Sequence, residues 1–144
     1  MDDDVLVTID TDVDLVRARA EARAMAERLG FSRMDGTLIA TAVSELGRNI
    51  VVHVGAGEIV VRPAEQDERC GVIVIARDSG PGIRDVEVAL RDGYATGNGL
   101  GLGLPGARRI MDDFEIESGN GSGTTIRAAK WRTRDELEKL RDRR

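Results

Sequence analysis

Apolar and polar residues alternate loosely from Val5 to Ile9, which predicts a first strand. The pattern then changes period. From Asp12 to Leu29, Val13, Val16, Ala20 and Ala24 recur at helical spacing in a segment rich in Ala, Arg and Glu, and Gly30 follows as a stop. Ser32 with Asp35 three residues later resembles a capping box, with Asp in place of the usual Glu or Gln. It opens a second helix from about Met34 to Val54. Gly55 to Gly57 forms a turn. Gly57 to Pro63 and Gly71 to Asp78 read as paired strands around a polar turn, Glu65 to Arg69. Gly80-Pro81-Gly82 breaks the pattern. Asp85 to Gly93 reads as a short helix and Tyr94 to Gly103, with little periodicity, as a loop. Pro105 suits the first turn of a helix reaching about Asp112. Phe114 to Ser118 and Thr124 to Trp131 form a closing hairpin, and Thr133 to Arg143 a charged terminal helix.

The order is therefore β-α-α-β-β-α-loop-α-β-β. Strands come mostly as adjacent hairpins, not as βαβ crossovers. The expected fold class is an α/β (α+β) two-layer sandwich, a mixed β-sheet with helices on one face. No internal repeat, linker or low-complexity tract interrupts it, so one domain is expected over residues 1–144.

Composition narrows the function. With 144 residues and 41% apolar content the chain can build a real core, but aromatics are only 3%, so Val, Ile, Leu and Ala must supply it. A formal charge of -5 argues against holding nucleic acid by phosphate neutralisation, and against an anionic membrane surface. No apolar run reaches spanning length, and the acidic Met1-Asp2-Asp3-Asp4 start is the reverse of a secretory signal, so a cytoplasmic protein is expected. The single cysteine, Cys70, excludes an intrachain disulfide and reads as a thiol without a chemical role at a strand edge. Many of the 17 glycines cluster between Gly80 and Gly123, where backbone must turn sharply or approach a ligand.

Three segments carry candidate chemistry. In Ser44-Glu45-Leu46-Gly47-Arg48-Asn49, Glu45 and Asn49 lie one helical turn apart on one face. A carboxylate there can take a proton from an attacking hydroxyl, and a carboxamide oxygen can coordinate Mg²⁺. Alone, the two are equally an ordinary polar pair on a solvated face. Asp78-Ser79-Gly80-Pro81-Gly82 follows the apolar run Val72 to Ala76. Its Asp can accept from an adenine amino group while the glycines let backbone pass the base; alone, it is equally a strand followed by a turn. Gly97 to Gly106 alternates Gly and Leu and leads into a helix, so it offers N–H groups and a helix dipole to phosphates.

Other phosphate chemistries fail. Gly101-Leu-Gly103-Leu-Pro-Gly106 matches the letters of a dinucleotide fingerprint, but no strand immediately precedes it and no βαβ unit follows. Neither lysine, Lys130 or Lys139, follows a glycine loop, which excludes a P-loop. There is no His-Arg-Asp and no Gly-x-Ser-x-Gly. His53 reads as a structural or supporting residue, since one histidine makes a poor metal site.

Together these segments resemble the GHKL (Bergerat-fold, histidine-kinase-like) ATPase family over roughly residues 5 to 131. Ser44 to Asn49 is similar to its N box, Asp78 to Gly82 to its G1 box, and Gly99 to Leu104 to its G2 box. Gly123-Thr124 is similar to its late Gly-Thr. Within the family, Ser44 to Asn49, Asp92-Gly-Tyr-Ala-Thr96, Gly99 to Gly106, Met111-Asp-Asp-Phe114 and Lys130-Trp131 resemble the stressosome switch serine/threonine-protein kinases of bacteria. Gly47 stands where Ala is expected.

The resemblance implies ATP with Mg²⁺ as cofactors, and roles by position. Glu45 is then the catalytic base and Asn49 the magnesium ligand. Asp78 binds adenine, with Gly80 and Gly82 giving room and Thr124 supporting it. Gly99, Leu100, Gly101, Leu102, Gly103 and Leu104 form the lid over the phosphates. The implied activity is phosphorylation of a STAS-domain protein in a partner-switching pathway. Two alternatives share the same site: an anti-sigma factor that sequesters a sigma factor, and a nucleotide-gated, non-catalytic activator of a PP2C-type phosphatase. Nucleic acid and membrane are not expected as partners.

Overall fold

The computed structural model describes residues 3–66, 68–82, 103–119, 121, 123–135, 137–138 and 140. The segment read as a short helix over 85–93 lies outside them, as does most of the loop read over 94–103.

Strand β1 (Val5–Ile9) leads into helix α1 (Asp12–Arg28). The Asp14 carboxylate accepts from the N–H groups of Asp10 (2.8 Å) and Thr11 (3.1 Å), and these backbone bonds hold its carboxyl below the ordinary value. An acid in the first turn thus satisfies donors that the helix leaves open. Helix α2 (Arg33–His53) starts as the sequence predicts, with Ser32 Oγ accepting from Asp35 N–H at 3.1 Å. Strands β2 (Gly57–Glu65) and β3 (Arg69–Asp78) form a hairpin. Helix α3 (Gly103–Ile110) holds Pro105 in its first turn, and β4 (Asp113–Ser118) and β5 (Thr124–Thr133) form the last hairpin. Thr133, read as the start of the terminal helix, still belongs to β5, where it pairs with Arg69, and among the described residues beyond it the helical ones are 137, 138 and 140.

The strand order is β1-β2-β3-β5-β4, and every pairing is antiparallel. The expected mixed sheet is corrected by this order. The α3 connection carries the chain from β3 to the sheet edge, so β4 runs parallel to β3 without pairing with it. β5 then returns into the gap between them and pairs antiparallel with both.

One face of the sheet packs on the helices. Val7, Ile9, Ile59, Val61, Val72, Val74, Ala76, Ile126 and Ala128 join Leu15, Ala18, Ala22, Met25, Ile39, Val43, Leu46 and Ile50 in one core. Complete burial of a side chain such as Leu46 or Ile50 contributes about 1.5–3 kcal/mol. The opposite face carries charged groups such as Arg77, paired with Glu58 at 3.0 Å.

Two helical details depart from the sequence reading. The apolar series chosen to find α1 faces outward: Val13 is 76% and Val16 64% exposed, while Leu15, Ala18, Ala22, Met25 and Ala26 are buried. Gly47 is also more than a departure from Ala. A Cβ there would sit 2.3 Å from Leu15 Cδ2, so the glycine lets α1 press on α2, on a face of the helix other than the one carrying Glu45 and Asn49.

Candidate functional site

The fold places one end of the sheet and the second half of α2 side by side. At that sheet end the chain partners are Ile9 with Gly57, Gly57 with Asp78, Asp78 with Thr124, and Thr124 with Ser118. The last residues of β3 and β4 and the first of β5 therefore meet in one row.

Asp78 is half-buried at the end of β3. Its Oδ1 accepts from Gly80 N–H at 3.0 Å, which sets the carboxylate at the start of the turn. Gly82 has φ +86°, and a Cβ there would lie 2.0 Å from Gly119 O, so this turn fits against the β4–β5 connection only with glycine. Gly121 N–H donates to Pro81 O at 2.7 Å and ties the two loops together. Thr124 is 5% exposed. The bond its hydroxyl makes runs to Ser118 Oγ at 2.8 Å, with Asp78 as its cross-strand neighbour on the other side. Ser118 also donates to Gly123 O at 3.2 Å. Sequence reasoning passed over Ser118; its place just before a glycine-rich turn was the available signal.

Glu45 and Asn49 are each 6% exposed, unusual burial for a carboxylate and a carboxamide. The ordinary solvated pair is thereby excluded. Glu45 Oε1 accepts from Gly103 N–H at 2.7 Å, and Gly103 is the first residue of α3. A helix N-terminus carries unpaired N–H groups and a partial positive charge, which stabilise a carboxylate. α3 reaches this position because Gly103, Pro105, Gly106 and Ala107 are small enough to pack closely on α2, all of them buried. The Leu104 side chain is fully buried in the core.

Of the residues singled out in sequence, Glu45, Asn49 and Gly103 thus form one buried group, and Asp78, Gly80, Gly82 and Thr124 a second at the adjoining sheet end. Gly99, Leu100, Gly101 and Leu102 lie outside the described residues. His53 is exposed at the last position of α2. Cys70 is buried near the start of β3, an interior strand, with Sγ 3.5 Å from Leu29 O; burial pushes its thiol upward, as suits an unreactive group. Among the described residues, no helix is long and apolar enough to cross a membrane.

The arrangement offers a carboxylate acceptor beside backbone glycine, a buried carboxamide oxygen and a helix N-terminus. Over most of its length the chain is similar to known proteins. The Histidine kinase-like ATPase domain family matches residues 9–130. The chain is 44% identical to the serine/threonine-protein kinase RsbT of Bacillus subtilis, over 91% of this chain and 98% of that one. It is 33% identical to an anti-sigma F factor of Caldanaerobacter subterraneus, over 79% and 82% of the two chains. The structure of the RsbU and RsbW domains of Rv1364c from Mycobacterium tuberculosis superposes with a TM-score of 0.61 at 21% identity, over 92% of this chain and 33% of that one, which supports the fold. With that match over most of its length, this chain belongs to the histidine kinase-like ATPase family.

Proposed function

We propose that this protein is a serine/threonine-protein kinase that transfers the γ-phosphate of ATP to a hydroxyl on a STAS-domain protein. The observation that carries the reading is the burial of Glu45 and Asn49 on one face of α2, with Glu45 bonded to the first N–H of α3. Burial with one oxygen set by a backbone N–H suits a carboxylate positioned as a general base. The 44% identity to RsbT supports the same reading.

The residues divide the work. Asp78, set by Gly80 N–H, accepts from the adenine amino group, and the Thr124–Ser118 pair holds the strand end beside it. Asn49 Oδ1 is a hard oxygen suited to Mg²⁺. Among the described residues no cluster of three or more His, Cys, Asp or Glu could hold a metal. The donor set therefore suits an ion that arrives with the nucleotide phosphates. When bound, Mg²⁺ supplies charge neutralisation at the phosphates. Glu45, with Oε1 held by Gly103, takes the proton from the acceptor hydroxyl through Oε2 as the hydroxyl oxygen bonds to the γ-phosphorus and ADP leaves. Most of the catalysis is positioning.

The test is phosphate transfer from γ-labelled ATP with Mg²⁺ to purified STAS-domain proteins encoded in the same genome. Glu45→Ala should lower the rate by about 10²–10⁴-fold while ATP still binds. ATP binding without transfer by the unmodified protein would overturn the kinase reading and leave a nucleotide-gated partner of a phosphatase. Sequestration of a sigma factor is the second reading, favoured by the identity to an anti-sigma F factor. Stable retention of a sigma factor in the presence of ATP would move the assignment there.

A further inference from the structure

Two motifs of the sequence lie outside the site: Met111-Asp-Asp-Phe114, where α3 passes into β4, and Lys130-Trp131 on β5. The fold brings them together. Lys130 follows Ile126 and Ala128 on the face of β5 that meets the helices. Its Nζ donates to the carbonyl of Ile110, the last residue of α3, at 2.9 Å. Asp112 N–H donates to Ala129 O at 2.8 Å. In return Trp131 N–H donates to Asp112 Oδ2 and Trp131 Nε1–H to Asp113 Oδ2, each at 2.8 Å. The Arg69 guanidinium, 3.9 Å from the centre of the indole, covers the ring. Four hydrogen bonds thus clasp the C-terminal end of α3 to β5.

The clasp holds a helix of 8 residues, a rod roughly 12 Å long. At its other end the Gly103 N–H is bonded to Glu45 Oε1 at 2.7 Å. Burial of Leu104, Ala107 and Met111 holds the rod against the core, but apolar contact is non-directional. The bonds at its two ends are directional. Glu45 takes an N–H at the positive end of the helix, and the Lys130 ammonium takes a carbonyl at the negative end. So short a helix moves as one body, and a displacement at Ile110 is felt at Gly103. A shift of about 0.5 Å along the axis takes the 2.7 Å bond to the edge of the ordinary range. We propose that Lys130 is a positioning residue for phosphoryl transfer: by holding Ile110 O it sets the Gly103 N–H on Glu45 Oε1, and so aims Oε2 at the acceptor hydroxyl. With the length of α3 between them, Lys130 acts through the helix and not on the reacting atoms. The inference rests on the kinase reading above.

The test uses the full chain with γ-labelled ATP, Mg²⁺ and a STAS-domain protein encoded in the same genome. Single-turnover transfer gives the rate of the chemical step and the STAS concentration at half-maximal rate. Lys130→Met keeps the aliphatic stem and removes the donor; Lys130→Arg restores one. Asp112→Ala loosens the same junction at an exposed position, and carries the test if thermal melting shows that Lys130→Met does not fold. The expected result is a fall in rate of about tenfold or more in Lys130→Met and a smaller fall in Asp112→Ala, with the half-saturating STAS concentration unchanged. Lys130→Arg should recover most of the rate. Two further readouts separate positioning from general stability. In the Glu45→Ala background Lys130→Met should lower the rate no further, because the base that it positions is gone. Amide exchange at Gly103 should quicken in Lys130→Met while β3 stays protected. A folded Lys130→Met protein with the unmodified rate, or with unmodified exchange at Gly103, overturns the inference and leaves the kinase standing. So does an equal, additive loss in the Glu45→Ala background, which places the effect of Lys130 elsewhere. If the unmodified protein transfers no phosphate, the kinase reading itself fails, and this inference with it.

Discussion

The two ends of the sheet are held together by opposite means. At the end carrying Asp78 the contacts around that carboxylate come from backbone and hydroxyls: Gly80 N–H to Asp78, Gly121 N–H to Pro81 O, and the pair Ser118–Thr124, with the Arg77–Glu58 ion pair on the outer face. At the far end they are charged. Arg132 donates to Leu29 O at 2.7 Å and pairs with Glu138 of the C-terminal segment, while Arg134, 8% exposed, donates to Gln66 O at 3.1 Å. The difference follows from what each end must leave available. On the proposed reading, a site for adenine needs a carboxylate not already neutralised by a cation, and the walls around Asp78 are built from glycine and hydroxyls. At the far end, charge-assisted bonds hold a helix terminus, a strand and the C-terminal segment together.

Three changes sharpen that contrast. The largest effect is expected for Gly82→Ala. The left-handed backbone and the 2.0 Å approach to Gly119 O cannot both survive a Cβ. Stability should fall by about 3 kcal/mol or more, and ATP affinity with it, as read from urea unfolding and nucleotide titration. A fully stable Ala variant that binds ATP normally would show that this turn is not tied to the β4–β5 connection. Next comes Arg132→Met at the far end, which leaves the Leu29 carbonyl and Glu138 without their cation. A loss of about 1–3 kcal/mol is expected, with ATP affinity unchanged. Reduced ATP affinity at full saturation of the folded state would instead couple the two ends.

The smallest effect separates charge from packing. The Arg132 hydrogen bond holds the Glu138 carboxyl down from 4.5 to about 2. A depressed folded-state value means that its contribution is complete above about pH 4.5 and is lost as pH falls towards 2. Glu138→Gln should therefore lower the melting temperature modestly at neutral pH and flatten the acid limb in that window. Its curve should meet that of the unmodified protein near pH 2. Parallel curves across the whole range would assign the contact to packing alone.

The contrast also explains what could be read early. All five strands and three helices lie close to where periodicity and glycine place them, because local pattern reports local structure. The Glu45–Asn49 pair was legible as chemistry only through its company with Asp78 and the glycine loop; alone it was an ordinary polar pair. The Gly103 N–H bonded to Glu45 was not legible as a partner, since that contact joins segments 58 residues apart; Ser118 lies close to Thr124 in sequence, but their pairing depends on the register of the β4–β5 hairpin. For α1 the pattern found the helix and chose the wrong face. Val13, Val16, Ala20 and Ala24 keep helical spacing as well as Leu15, Ala18, Ala22 and Met25 do, and a helix with two apolar stripes has no periodic signal that says which one is inside.

The chain by itself determined its elements, its capping at Ser32, its acidic charge and the order of the segments that resemble the family's boxes. Those depend on neighbours within a turn or two. Only the tertiary structure decided that the sheet is wholly antiparallel, that Gly47 exists to seat Leu15, and that the charged pair at Arg132 lies opposite the site. Those outcomes depend on where β5 inserts and how α1 crosses α2, and such long-range packing leaves no period in the sequence.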